Sequence, residues 1–336
     1  MSDGDLPPLI AIVGPTAAGK SSLAIRLARA FDGEIVCADS RTQYRGMNIG
    51  TAKPTPAQMQ GVPHHLLDLI NPDEAFTLAQ FQELAYRTIA DITRRGHTPF
   101  LVGGSGLYVK AVVEGFSIPQ MQPNLALRQA LQDEATRLGS EHLYIELQQA
   151  DPVAASHISP GNVRRIIRAL EVYRSLGVPI SQLQVRTPPP YSIRMIGLTR
   201  SQESLHLAIA ERVDAMLAAG LVDEVRGLAQ SGYSYDLPAM SGIGYREVGM
   251  YLRGEIDLGT ARELIIRNTR RFVRRQYQWF HLTDPTIHWF NLDDPHAVEA
   301  IEDALPSFGL QTLARPLHHE VHQAEQELPG IGLQRR

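Results

Sequence analysis

An α/β fold, built on a parallel sheet with helices on both faces and an inserted all-helical subdomain, is predicted by three features of this 336-residue chain. Its first hundred residues alternate short apolar runs with helical patterns, as strands joined by crossover helices do. A glycine-rich loop follows the first strand and opens the first helix. From about Pro119 to Tyr191 the sequence then shows successive helical patterns and no convincing strand.

The first strand is Leu9-Ile10-Ala11-Ile12-Val13, ended by Gly14, and Leu23, Leu27 and Phe31 recur after it at helical spacing. Glu34-Ile35-Val36-Cys37-Ala38 makes a second strand, closed by Asp39. A helix over about Thr77 to Arg95 leads to a third, Pro99-Phe100-Leu101-Val102, closed by Gly103-Gly104-Ser105-Gly106. Gln120-Met121-Gln122-Pro123 and Pro188-Pro189-Pro190 bound the inserted helices. The core resumes with the strand-like Ile193-Arg194-Met195-Ile196-Gly197 and helices over about 203–220 and 221–229. Residues 1–119 and 192–310 are thus read as two parts of one core, 120–191 as the insert, and the polar, proline-containing 311–336 as a flexible tail.

Composition narrows the class. With 43% hydrophobic and 20% charged residues, the chain is ordinary for a soluble globular protein. The lone Cys37 excludes an internal disulfide and a cysteine-based zinc finger. No membrane span or signal h-region is visible, so a cytoplasmic protein is expected. The net charge of −4 argues against nucleic acid only if the charge is evenly spread.

It is not evenly spread. Arg267, Arg270, Arg271, Arg274 and Arg275 fall on one face of a helix, and no acidic residue occurs between Glu263 and Asp284. Solvated helix faces usually mix signs to gain ion pairs, so a single-sign stripe points to a phosphate backbone. Arg164, Arg165 and Arg168 form a smaller cluster in the insert.

Gly14-Pro15-Thr16-Ala17-Ala18-Gly19-Lys20-Ser21 is a complete phosphate-binding loop between a buried strand and a helix, which makes the core P-loop NTPase-like. Its amides can surround a diphosphate, Lys20 adds a point charge, and the Ser21 hydroxyl can reach Mg2+. Asp39 should emerge at the carboxyl edge of the sheet, either as a general base, as an indirect magnesium holder, or as a turn residue. The Gly103–Gly106 turn is weak by itself. His64-His65 point in different directions and read as structural or surface residues, and His318 and His322 in the tail receive no function.

Taken in order, these motifs resemble the tRNA dimethylallyltransferases, also called tRNA isopentenyltransferases, from about Leu9 to Phe290. The loop matches the family's GPTASGK followed by Ser or Thr, with Ala18 in the serine place. Asp39 to Pro54 resembles DSMQVYRGMDIGTAKP, a long and rare block. Further matches are Gly61 to Asp68, Gly103 to Tyr108 against GGTGLY, Arg164 to Val172, Gly244-Tyr245, and the arginine helix ending in Arg274-Arg275-Gln276-Tyr277-Gln278-Trp279-Phe280.

The resemblance implies that Asp39 is the catalytic base, that Gly14 to Ser21 hold the diphosphate of dimethylallyl diphosphate, and that Ser105 stands where a family threonine contacts the target nucleotide. Asp39, Ser40, Arg41, Thr42 and Ser105 would meet the tRNA target, while Arg128, Arg164, Arg165, Arg168, Arg270, Arg271, Arg274 and Arg275 would grip the anticodon stem-loop. A monomer is expected. Arg41, Thr42 and Gln43 depart from the commoner Met, Gln and Val, so the base contact there need not follow the family. Without the resemblance, a nucleoside or nucleotide kinase, a prenyltransferase acting on free adenosine phosphates, and a non-catalytic RNA-binding module stay open.

Overall fold

The apolar runs at the start of the chain become β1 (Pro8–Val13) and β2 (Gly33–Cys37), joined by α1 (Lys20–Ala30). The computed structural model that shows this describes residues 6–119, 121–183, 185–308 and 310. Next come α2 (Pro56–Met59), β3 (His64–His65), α3 (Leu78–Arg94), β4 (Thr98–Val102) and α4 (Gly106–Val113). Helices α5 (Leu125–Leu138), α6 (Ser140–Ala150), α7 (Pro152–His157), α8 (Val163–Leu176) and α9 (Ile180–Leu183) follow in succession. The chain then rejoins the sheet with β5 (Ser192–Thr199), α10 (Gln202–Ala218), α11 (Leu221–Gln230), α12 (Tyr245–Leu252), α13 (Leu258–Tyr277), β6 (Ile287–Asn291) and α14 (Ala297–Ala304).

The strands form one parallel sheet in the order β3-β2-β4-β1-β5-β6. β1 lies inside it, and both its faces are covered. Ile10 and Ile12 pack with Leu23, Leu27 and Phe31, while Leu9, Ala11 and Val13 pack with Phe81, Ile89 and Phe280 on the other side. That is why the strand reads as an unbroken apolar run instead of an alternation. The chain leaves β1 toward β2 on one side and pairs β1 with β5 on the other, which opens a crevice at the carboxyl end of β1.

Two strands escaped the sequence reading. β3 has only two residues, too few for any alternation, and β6 is an edge strand whose Ile287-His288-Trp289-Phe290-Asn291 is only partly buried. Helices α5 to α8 enclose a separate core around Leu131, Leu143, Leu147, Ile166 and Leu170. The chain enters and leaves this unit at one place, where Ser117 N–H donates to Val185 O (2.7 Å) and Thr187 N–H to Gly115 O (2.9 Å). A side chain on Gly115 would collide with Thr187 O there. No helix among the described residues is long and apolar enough to cross a membrane. The expected tail, with His318 and His322, lies outside the described residues.

Candidate active site and nucleic-acid interface

The phosphate loop is shaped by backbone that only certain residues tolerate. Gly14 has φ +136°, and a Cβ there would sit 2.3 Å from Leu198 O on β5. Gly19, at φ +96°, turns the chain into α1, so Lys20 opens the helix. The Lys20 ammonium donates to Pro15 O at 2.6 Å. Burial first, and the Arg212 guanidinium second, pull its pKa down to about 8, against the opposing attraction of Asp39.

Asp39 lies two residues beyond β2, at the carboxyl edge. Its carboxylate accepts the Arg41 N–H at 2.8 Å. The neighbouring turn is pressed against it: a Cβ on Gly103 would lie 2.0 Å from Ala38 O. Ser105 occupies the N-cap position of α4 but caps nothing. Its hydroxyl instead accepts the Ser40 N–H at 3.1 Å, which brings the two segments predicted to meet the target nucleotide into contact. The Thr42 hydroxyl donates to Asp39 O at 3.4 Å.

The long block from Asp39 to Pro54 is held by distant helices. Glu224 on α11 accepts the N–H groups of Asn48 (3.0 Å), Ile49 (2.7 Å) and Gly50 (3.2 Å), and the Tyr245 hydroxyl donates to the same carboxylate at 2.6 Å. Gly50 lies against the Tyr245 ring, where a Cβ would be 2.4 Å away. The buried Lys53 ammonium donates to Tyr44 O (2.8 Å), Asn48 Oδ1 (3.0 Å) and Asp68 Oδ1 (2.6 Å).

A cavity of about 360 Å³ opens at this edge, lined by Thr16, Lys20, Asp39, Thr42, Arg212 and Gln276 among others. The sequence reading missed Arg212 and Gln276. Arg212 projects from α10, and its guanidinium makes no hydrogen bond or ion pair among the described residues; burial pulls its pKa down against the attraction of Asp39. Gln276, only 3% exposed, comes from α13. Its amide accepts the Thr16 N–H (2.9 Å) and donates to Gly104 O (3.0 Å). Nothing local marks either residue as functional; Gln276 was quoted only as part of the closing motif. His64 also lines the cavity, and burial lowers its pKa while Val62 O holds Nδ1 at 2.8 Å.

Ser21 lines the cavity too, from the first turn of α1. Its hydroxyl makes no hydrogen bond among the described residues, and with the Thr16 hydroxyl and Asp39 carboxylate it supplies hard oxygen donors. That donor set fits magnesium, which takes few protein ligands when phosphates supply the rest.

The predicted cations divide into two kinds. Arg267, Arg271, Arg274 and Arg275 are exposed on α13 and Arg270 is half-buried, and none forms an ion pair among the described residues. Arg262, on the same helix, pairs with Asp214. Arg164 and Arg165 are likewise exposed and unpaired in the first turn of α8. Arg128 and Arg168 are already engaged: both meet Glu171, which is fully buried, at 2.8 and 2.6 Å.

Fold and site together define a phosphate-loop α/β protein with an acidic residue facing the loop and an arginine-lined surface. The chain matches the IPP transferase family over residues 42–283, and it belongs to that family. It is 52% identical over 295 residues to a tRNA dimethylallyltransferase of Roseiflexus castenholzii, covering 88% of this chain and 96% of that protein. A tRNA dimethylallyltransferase of Herpetosiphon aurantiacus is 45% identical over 316 residues, 94% and 98% of the two chains. Among solved structures, a tRNA isopentenylpyrophosphate transferase of Bacillus halodurans superposes with a TM-score of 0.66 at 40% identity, covering 89% of this chain and 96% of that one.

Proposed function

We propose that this chain transfers a dimethylallyl group from dimethylallyl diphosphate to the N6 amine of the adenosine on the 3′ side of a tRNA anticodon. The observation that carries this reading is the joint lining of one cavity by Lys20 and Arg212 on one hand and Asp39 on the other. Two cations suit a leaving diphosphate, and a carboxylate suits an amine that must lose a proton. The family membership and the relatives' names support the same chemistry.

In this reaction a bond forms between N6 and the allylic C1, while the bond from C1 to the diphosphate oxygen breaks and its electron pair leaves with diphosphate. The phosphate-loop amides, Lys20 and Arg212 stabilise the charge that grows there. Asp39 balances the positive charge on the attacking amine and accepts its proton. The adenine leaves the anticodon-loop stack to reach Asp39, and the enclosing walls keep water from the cation-like C1. Magnesium held through Ser21, with Thr16 or Asp39 nearby, would add positive charge to the diphosphate. Arg270, Arg271, Arg274 and Arg275, with Arg164 and Arg165, grip the RNA backbone.

Incubation with labelled dimethylallyl diphosphate and magnesium, offered bulk tRNA or AMP, tests the proposal. Label in tRNA alone is expected. Label in AMP, or transfer of phosphate from labelled ATP to a nucleoside, would replace it with one of the rival chemistries.

A further inference from the structure

Arg41 departs from the family pattern, and the resemblance placed it among the tRNA contacts. Its side chain is engaged within the protein. The guanidinium Nη1 donates to Pro238 O (2.8 Å) and Ala239 O (3.1 Å), and Nη2 donates to Ser241 Oγ (3.4 Å). These acceptors belong to a tight turn just before α12, anchored by the buried Ala239 and Met240. The backbone N–H of the same Arg41 is the group that holds the Asp39 carboxylate, at 2.8 Å. Thr42 and Gln43, next along the chain, are buried, and Gln43 O accepts the Leu69 N–H at 2.7 Å.

We propose that Arg41 is a positioning residue for Asp39: its side chain clamps the loop bearing the carboxylate to the turn at 238–241, and it does not serve as an RNA contact. This rests on the reading of Asp39 as the base. Three donor contacts occupy a guanidinium that has only five N–H groups, whereas Arg271 and Arg274 make no hydrogen bond among the described residues. The clamp fixes the Arg41 amide, and the amide fixes the direction of the carboxylate. Displacing a catalytic group by about 1 Å can cost on the order of 10²-fold in rate, so the clamp bears on chemistry although it touches no substrate.

Single-turnover transfer at saturating tRNA and prenyl diphosphate should fall about 10- to 100-fold in Arg41→Ala, with tRNA affinity and its salt dependence unchanged. Amide hydrogen exchange should rise in both 39–44 and 239–241, the two segments that the clamp joins. Arg41→Lys, which can reach one carbonyl, should show an intermediate rate at wild-type tRNA affinity. An RNA contact predicts the reverse: weaker tRNA binding, a salt slope shallower by about one phosphate, full turnover at saturation and unchanged exchange. That pattern would overturn the proposal. Should Arg41→Ala fail to fold, Arg41→Lys decides by the same split between rate and affinity. If the wild-type protein transfers no prenyl group at all, the proposed activity falls, while the exchange measurement still judges the clamp.

Discussion

Gln276 reaches from near the end of α13 to accept the N–H of Thr16, 260 residues earlier in the chain, and with its other amide atom donates to Gly104 O. One buried side chain therefore ties the phosphate loop to the turn that carries Ser105. It also joins the helix bearing the unpaired arginines to the place where diphosphate is proposed to sit.

Replacing Gln276 by Ala leaves the buried Gly104 O and the half-buried Thr16 N–H without their partner. Each such loss costs about 1–3 kcal/mol, so a clear drop in denaturation midpoint is expected. The KM for prenyl diphosphate should also rise, because Thr16 loses its support. Thermal melts together with steady-state kinetics read both effects, and wild-type values in both would show that the bridge has no role.

Lys20 titrates near pH 8 because of burial and Arg212. Below that pH its ammonium is charged and can bind an anion; above it the neutral amine cannot. The phosphates of dimethylallyl diphosphate are ionised well above their own pKa of about 6, so the ligand does not mask the effect. Affinity measured calorimetrically without tRNA should be level between pH 7 and 7.5, then fall toward tenfold per pH unit above 8, with proton uptake on binding. In Lys20→Ala binding should be weaker at pH 7 and lack that fall. A pH-independent wild type, matched by a Lys20→Ala variant that binds as tightly at pH 7, would rule out Lys20 as a diphosphate contact.

Asp39→Asn keeps the shape and removes the base. Loss of a positioned general base usually costs about 10² to 10⁴-fold, so single-turnover transfer should fall by that order while tRNA binding changes little. The competing role, holding magnesium, predicts a defect in diphosphate affinity that excess magnesium partly rescues. Titrating magnesium in the variant separates the two.

Changing Arg270, Arg271, Arg274 and Arg275 together to Gln should weaken tRNA binding, flatten its dependence on salt, and leave prenyl diphosphate binding intact. Every RNA phosphate that the variant no longer neutralises takes roughly 0.9 off the slope of log affinity against log salt on a duplex stem, less on single strands. Filter binding over a range of salt concentrations provides the measurement. An unchanged slope would leave the stripe as a solvated helix face.

The phosphate loop, the helix that follows it and the four strands proposed from apolar runs were legible in the sequence because their causes are local. A glycine is required where φ is positive, as at Gly14 and Gly19, and an unbroken apolar run is required where β1 is covered on both faces. The arginine stripe was legible for the same reason, since helical spacing alone aligns those side chains and no acidic residue occurs between Glu263 and Asp284.

Other features depended on what meets what across the fold. Arg212 is one arginine on a helix of mixed polar and apolar residues, and only the packing of α10 beside the sheet edge turns it toward Lys20 and Asp39. Arg128 and Arg168 resemble the other basic residues of the insert in sequence, but both pair with the buried Glu171. Arg41 belonged to a motif read as touching RNA, but its acceptors lie about 200 residues away along the chain. Most of the helices and strands, though not β3 or β6, follow from local sequence, because backbone sterics, amphipathic spacing and the phosphate-loop pattern act over a few neighbouring residues. Which charges are neutralised inside the protein, and which stay unpaired among the described residues, follows from the tertiary fold, because pairing depends on distances that crossover connections set and local sequence does not encode.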